Sequence, residues 1–274
     1  MTQPTTQTRR ARPQAVLSVR SSRWVTPHTV RLTVGGPGFD EFRDNEYTDK
    51  YVKIAFVDPA LGLTPPYDLN ELRETLPPEQ RPVTRTYTVR RVDVDAQQLE
   101  LDFVVHGPAG IAAPWAAQAQ PGDLIALSGA GGGYAPDPED DWHLFLGDES
   151  ALPAIAAAFD ALPAGARGIA YLETQDDDQP DDLEAPAGVT VHWLKRPEPG
   201  ASPQLLADAL ASGDWLPGRV GVFAHGERES MKAIRAALKN RDLGGGQLSL
   251  SGYWAYGRTE DRFQAEKREP IGQI

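Results

Sequence analysis

Three short strings in this chain combine residue types suited to holding a phosphate-bearing redox cofactor. The string RTYT over residues 85–88 alternates Arg85 and Tyr87 with Thr86 and Thr88, so on a strand the first pair faces one way and the second pair the other. A guanidinium for a phosphate, a ring for packing along a tricyclic system and a hydroxyl for a redox nitrogen suit a flavin. Taken without its neighbours, the string is also an ordinary amphipathic strand. In the second string, residues 102–123, an apolar run ends at Val104, Val105, His106 and Gly107, and small residues lead into a short helix. Small residues at a helix start expose backbone N–H groups to a diphosphate; His106 reads as a strand-end histidine, a base or a flavin contact. The third, LFLGDESALPAIAAAF over 144–159, is a strand, a glycine and acidic turn, and a helix with an early proline. Nucleotides bind at such strand ends, although GxGxxG is missing and Asp148 or Ser150 equally reads as a helix N-cap.

The composition narrows the chemistry. With 274 residues and no cysteine, the chain has room for two ordinary domains and cannot use thiolates, disulfides or Cys-ligated metals. Electron chemistry would therefore need an organic cofactor. A net charge of -12 argues against nucleic acid or an anionic membrane as partner. His28, His106, His143, His192 and His225 are scattered, and no G-x-S-x-G or H-E-x-x-H string appears, so neither a metal site nor a hydrolase is expected. There is no signal-like segment and no apolar run of membrane-spanning length, which makes a cytoplasmic protein the expectation.

The elements that must position these strings change character near residue 140. Residues 15–36, 49–58, 83–95 and 98–107 read as strands between Gly, Pro and Asp turns, with 121–133 as a closing strand, the pattern of a small antiparallel barrel. Residues 66–82 read as a charged surface insert. From 141 on, apolar runs (168–174, 189–195, 219–227) alternate with helical stretches (150–162, 203–210, 230–241), which implies a parallel sheet covered on both faces. The expected division is a flexible tail at 1–13, a barrel over 14–134, a linker within 130–141, and an α/β unit over 141–274 ending in a helical segment. In that segment, Tyr253 and Trp254 read as core anchors or as a cap on the flavin. The acidic run 176–182 reads as a solvated loop.

In this order the strings resemble the siderophore-interacting protein family, flavin-dependent ferric-siderophore reductases related to ferredoxin-NADP reductases. The resemblance rests on DKYVKIAF (49–56), RTYTVRR (85–91), DFVVHG (102–107) with the following segment to Trp115, PGD (121–123), GDESALPAI (147–155), GE (226–227) and GYWAYGRTED (252–261). It implies a ferredoxin reductase-like fold, an antiparallel β-barrel holding FAD followed by an α/β parallel-sheet domain addressing NAD(P)H. By that resemblance Arg85 binds FAD phosphate, Tyr87 packs along the flavin, and Thr88 lies near N5. His106 and the amides around Gly110, Ala112 and Ala113 hold the ribityl-diphosphate with Trp115 close by, Val104 is a further cofactor contact, and Asp148, Glu149 and Ser150 sit where the nucleotides meet the second domain. The ferric siderophore would meet Lys53, Lys50 and Arg258.

The chain departs from the family pattern in places. Ala113 stands where a serine is usual, Ala255 where an arginine follows Tyr-Trp, and the glycines of 130–134 replace a region that carries a basic side chain in some members, which places recognition of highly charged tris-catecholates in question. Glu173, at a strand end, resembles the acid that contacts a ribose 2′-hydroxyl, while Arg196, after the next strand, equally suits a 2′-phosphate. A ferredoxin is the other expected donor. The chain is expected to act as a monomer. A non-catalytic flavin or siderophore binder and a general NAD(P)H:flavin reductase are the competing functions.

Overall fold

The computed structural model describes residues 13–105, 107, 110–175, 179–196, 198 and 202–274; the tail at 1–12 and His106 lie outside the described residues. Six strands form a closed antiparallel barrel: β1 (Ala15–Thr26), β2 (Thr29–Gly35), β3 (Tyr51–Phe56), β4 (Val83–Asp93), β5 (Gln98–Val104) and β6 (Leu124–Gly131), in the order β1-β2-β5-β4-β3-β6. Closure comes from β6, which pairs with both β1 and β3, as the reading of 121–133 requires. Closing the sheet removes its edges. The alternation of each strand then decides which side chains fill the interior.

On β3, Val52 and Ile54 point into the core while Tyr51 and Lys53 point out. Tyr51 and Lys53 lie opposite Thr88 and Thr86 of β4. The outer face of this strand pair is therefore polar and aromatic, and the inner face joins a core of Leu17, Leu32, Leu99, Leu101 and Phe103. Residues 66–82 form the short helix α1 (Leu69–Thr75) and a single 3-10 turn, both on the surface. After β5 comes α2 (Ala112–Gln118), whose Trp115 packs on Phe56 and Phe103.

The second half contains five parallel strands: β7 (Trp142–Gly147), β8 (Arg167–Gln175), β9 (Gly188–Arg196), β10 (Val220–Glu227) and β11 (Leu248–Trp254), ordered β11-β10-β7-β8-β9. Between them run α3 (Leu152–Ala161), α4 (Leu205–Ser212) and α5 (Arg228–Leu238), and the chain ends beyond α6 (Glu260–Glu266). One face packs Phe145, Ala170 and Phe223 under α3, and the other packs Leu144, Leu146 and Val222 under α4 and α5. The strand order reverses between β7 and β10, which opens a crevice at their carboxyl ends.

Several expectations are corrected here. Neither Asp148 nor Ser150 caps α3, whose N-cap is Ala151 without a side-chain bond; Asp148 is engaged elsewhere. The C-terminal segment begins inside β11, so Tyr253 and Trp254 belong to a strand and the helix is confined to α6. The acidic run is not simply solvated. Residues 176–178 lie outside the described residues, but Asp182 forms ion pairs with Arg23 and Arg31 of the barrel. Arg31 also pairs with Asp102 at 2.5 Å, and Arg90 of β4 pairs with Asp160 of α3 at 2.6 Å. The pairs to Asp182 and Asp160 tie barrel to sheet. Among the described residues no helix is long and apolar enough to cross a membrane.

Phe103 is fully buried, with Tyr87 and Trp115 at ring-centroid distances of 4.2 and 6.0 Å. Phe103→Ala should cost about 3–5 kcal/mol, the usual range for emptying an aromatic core position. Urea unfolding measures it, and a loss below about 1 kcal/mol would mean that the two neighbouring rings collapse into the gap.

Candidate functional site

A cavity of about 480 Å³ lies between the outer face of β3 and β4, the carboxyl ends of the parallel strands, and α6. The barrel contributes Tyr51, Lys53, Thr86, Tyr87, Thr88, Asp102 and Val104. Strand alternation puts most of these outward, while Tyr87 is reached from the inner side, where its ring lies against Phe103. Tyr51 keeps its place because Gly131 lies beneath it: a Cβ there would approach the phenol ring to 2.3 Å. That is a packing reason for a glycine in 130–134.

The sheet side is organised by Asp148, directly after β7. Its carboxylate is buried and accepts hydrogen bonds from Ser150 N (2.9 Å), Ser150 Oγ (2.5 Å), Glu227 N (2.8 Å) and Trp254 Nε1 (2.7 Å). The ends of β7, β10 and β11 are thereby joined through one side chain. Burial, reinforced by neighbouring Glu149, raises its pKa against the hydrogen bonds from Ser150 and Trp254. Gly226 makes the approach possible, since it has φ 152° and a Cβ would come within 2.7 Å of Asp148 Oδ2.

Beside Asp148 lies a second charged cluster. Arg196, at the end of β9 and only 1% exposed, is bonded by Glu149 at 2.6 and 2.8 Å and by Glu173 at 3.4 Å. Glu149 also accepts from Gln175 N at 2.6 Å. Burial, then the charge of Asp148, pushes Glu173 up to about 7 despite Arg196. The two residues expected to discriminate a ribose hydroxyl from a 2′-phosphate are thus bound to each other.

Tyr253 and Trp254 are half-buried and line the cavity, which corrects the reading of them as core anchors. The Tyr253 hydroxyl, raised above the ordinary phenol range by burial, is hydrogen-bonded with Thr88. Behind Tyr253, His225 stacks on Phe223 at 3.9 Å and shares a 2.9 Å hydrogen bond with Ser249. Burial drives its pKa down to about 3, so it is neutral at ordinary pH.

From α6, Glu260 accepts from Thr86 N at 3.2 Å. Arg85 reaches Asp261 at 3.2 Å and lies 3.9 Å from Glu260. Lys267 closes the mouth with its ammonium 4.7 Å over the Phe263 ring; burial lowers its pKa, Glu260 raises it and Lys53 lowers it further.

Residues 18–134 match the family model described as siderophore-interacting FAD-binding domain, and residues 140–257 match the model described as siderophore-interacting protein. An uncharacterized protein of Mycobacterium tuberculosis is 44% identical over 272 residues, covering 94% of this chain and 96% of its own. The ferric vibriobactin reductase ViuB of Vibrio cholerae is 32% identical over 254 residues, covering 89% and 90%. The chain belongs to the siderophore-interacting protein family. A siderophore utilization protein from T. fusca superposes with a TM-score of 0.78 at 35% identity, covering 90% of this chain and 94% of that one. In fold alone the chain is also similar to the ferredoxin reductase in carbazole 1,9a-dioxygenase, with a TM-score of 0.65 at 12% identity over 88% and 70%.

The barrel is the family's FAD-binding domain, and the side chains present fit that cofactor. A wall of Tyr87 and Val104 and hydroxyls from Thr88 and Ser251 line one cavity, the Arg85 guanidinium stands outside that lining but 3.9 Å from its Glu260, and Ile111 adds no side-chain cap to the amides that start α2. Of the residues singled out in the sequence, Tyr87, Thr88, Val104, Asp148, Glu149, Ser150 and Lys53 line the cavity. Gly110, Ala112, Ala113 and Trp115 lie outside its lining, on and beside α2. Lys50 is held by Asp44 at 2.7 Å and Arg258 by Glu266 at 2.8 Å, away from the lining. Lys267, Glu260 and Gln264 were not foreseen; their spacing of three to four residues along α6 and its C-cap was the available signal.

The Glu173 proton has a consequence for stability. Its ordinary value is 4.5 and its folded value about 7, so in that interval the folded chain keeps a proton that the unfolded chain has released. Its contribution to stability falls as pH rises through the window and levels off above it. Glu173→Gln should therefore gain on the parent from pH 4.5 to 7, by up to about 1.4 kcal/mol per pH unit. Parallel stability curves in urea titrations across pH 4.5–8 would show that Glu173 ionises normally.

Proposed function

We propose that this chain is a cytoplasmic ferric-siderophore reductase that draws electrons from NAD(P)H. The observation that carries the reading is that one cavity is bounded at once by the 85–88 strand, by the carboxyl ends of the parallel strands and by Lys53 and Lys267. Its similarity to a ferric vibriobactin reductase supports the same activity. When bound, FAD accepts two electrons from a nicotinamide and passes them singly, so one NAD(P)H reduces two Fe(III) and releases one proton.

The chain's residues supply orientation and charge. Tyr87 and Val104 form the wall against which the ring system would rest, Thr88 and Tyr253 offer hydroxyls beside it, and Arg85 with the amides of 110–113 would meet the phosphates. Ser150 and Trp254, fixed through Asp148, orient the donor at the end of the sheet. Lys53 and Lys267 would hold the ferric chelate at the mouth, where reduction weakens the grip of the chelator on iron. No residue needs to act as a proton donor to the chelate in this scheme.

The purified chain should be yellow, or become so with added FAD. It should bleach anaerobically with NADH or NADPH and recolour on addition of a ferric siderophore, with Fe(II) captured by a coloured chelator. A chain that binds FAD but is bleached by neither nicotinamide would point to a ferredoxin donor or a non-catalytic role, and turnover that requires exchangeable flavin but no chelate would mark a flavin reductase. Lys53→Ala should raise the Michaelis constant for a ferric chelate several-fold, roughly what loss of one charged contact gives, while flavin content stays at parental level. Unchanged kinetics remove Lys53 from the site.

A further inference from the structure

The charges around the cavity nearly cancel, and the way they cancel bears on the chelate. At the mouth, Lys53 and Lys267 share the space with the carboxylate of Glu260. Arg85 pairs with Asp261 at 3.2 Å and in the reading above also meets the FAD phosphates, so it offers the chelate no further positive charge. At the far end Arg196 is matched by Glu149 at 2.6 Å, with Asp148 beside it. Asp102 is neutralised by Arg31 at 2.5 Å. Lys50 is bound to Asp44, and Arg258 shares Glu266 with Arg228 and Arg262; none of these cations lines the cavity. Among the lining side chains, Lys53 and Lys267 against Glu260 leave the mouth a single unit of positive charge, in a chain of net charge -12.

A ferric tris-catecholate is trianionic, whereas a ferric tris-hydroxamate is neutral. Moving the trianion into a partly enclosed site requires compensating charge that this cavity does not supply. A neutral chelate loses less hydration on entry, and its carbonyl oxygens accept hydrogen bonds from lysine ammonium groups. Glu260 is what keeps the balance low. Its Oε1 is fixed by Thr86 N at 3.2 Å, so the carboxylate cannot swing out of the mouth without breaking a bond to β4.

We infer that the site is selective for neutral ferric tris-hydroxamates over trianionic tris-catecholates, with Glu260 as the specificity-determining residue. This rests on the reductase reading above and narrows it to a substrate class. The sequence raises the question through the glycines of 130–134; the geometry answers it with a carboxylate on α6.

Gallium(III) complexes test this, because they keep the charge and shape of the ferric ones and are not reduced. Calorimetric titration of the flavin-loaded chain at low ionic strength should give a dissociation constant for a gallium tris-hydroxamate roughly tenfold or more below that for a gallium tris-catecholate. Glu260→Gln keeps the acceptor for Thr86 N and should tighten the catecholate several-fold more than it shifts the hydroxamate, narrowing the ratio between them. Lys267→Gln should weaken the catecholate further and move the hydroxamate less. Equal or tighter binding of the catecholate by the parent chain, or an unchanged ratio in Glu260→Gln, overturns the inference and leaves the reductase reading standing. Binding of neither complex overturns both.

Discussion

A carboxylate with four hydrogen-bond donors around it, buried at the switch point of a parallel sheet, is the constraint on which this site depends. Asp148 receives Ser150, the amide that starts the β10 turn, and the indole of Trp254. Without it three strand ends would each need separate satisfaction in a region shielded from water, where an unpaired polar group costs about 1–3 kcal/mol. Because one group serves all three, the loops cannot be varied independently. Gly226 shows how close the fit is, since any side chain there meets the same oxygen.

The barrel achieves comparable order by a different route. Its residues at the cavity are placed by strand parity, with Val52 and Ile54 inward and Tyr51 and Lys53 outward. A slip of one residue in the β3–β4 register would put the lysine in the core and the isoleucine in the cavity. The site therefore has one wall fixed by a hydrophobic interior and another fixed by a hydrogen-bonded ionic core. The two clusters differ in character as well: Glu149, Glu173 and Arg196 pair with one another in a buried group that leaves Glu173 Oε2 and Arg196 Nε without a hydrogen bond among the described residues, whereas Glu260, Lys53 and Lys267 line the cavity from α6 and β3.

Much of this was legible in the sequence. The alternation of residues 49–58 and 83–95 and the strand-helix rhythm after 141 gave the barrel and the sheet, because each pattern reflects a periodicity of burial. Among the residues that line the cavity, those named from the sequence lie on strands or directly after a strand end, notably Thr88, Asp148 and Lys53. What escaped were contacts between distant segments. Nothing local in the 260–267 stretch shows that α6 lies over β4, nor that Arg85 meets Asp261 across the chain. Tyr253 and Trp254 were misassigned because an aromatic pair on a strand end has the same composition whether it lines a cavity or fills a core. The acidic run misled for the same reason, as the partner of Asp182 is an arginine more than a hundred residues away.

The ion pairs between Arg90 and Asp160 and between Arg31 and Asp182 involve no side chain at the cavity mouth. They fasten the barrel to the sheet without occupying the opening. A protein built this way separates two engineering problems: the spacing of the two walls is set by fixed pairs, and the rim is left open to diversification. A few residues on the lip can then be exchanged with the seam between the walls untouched.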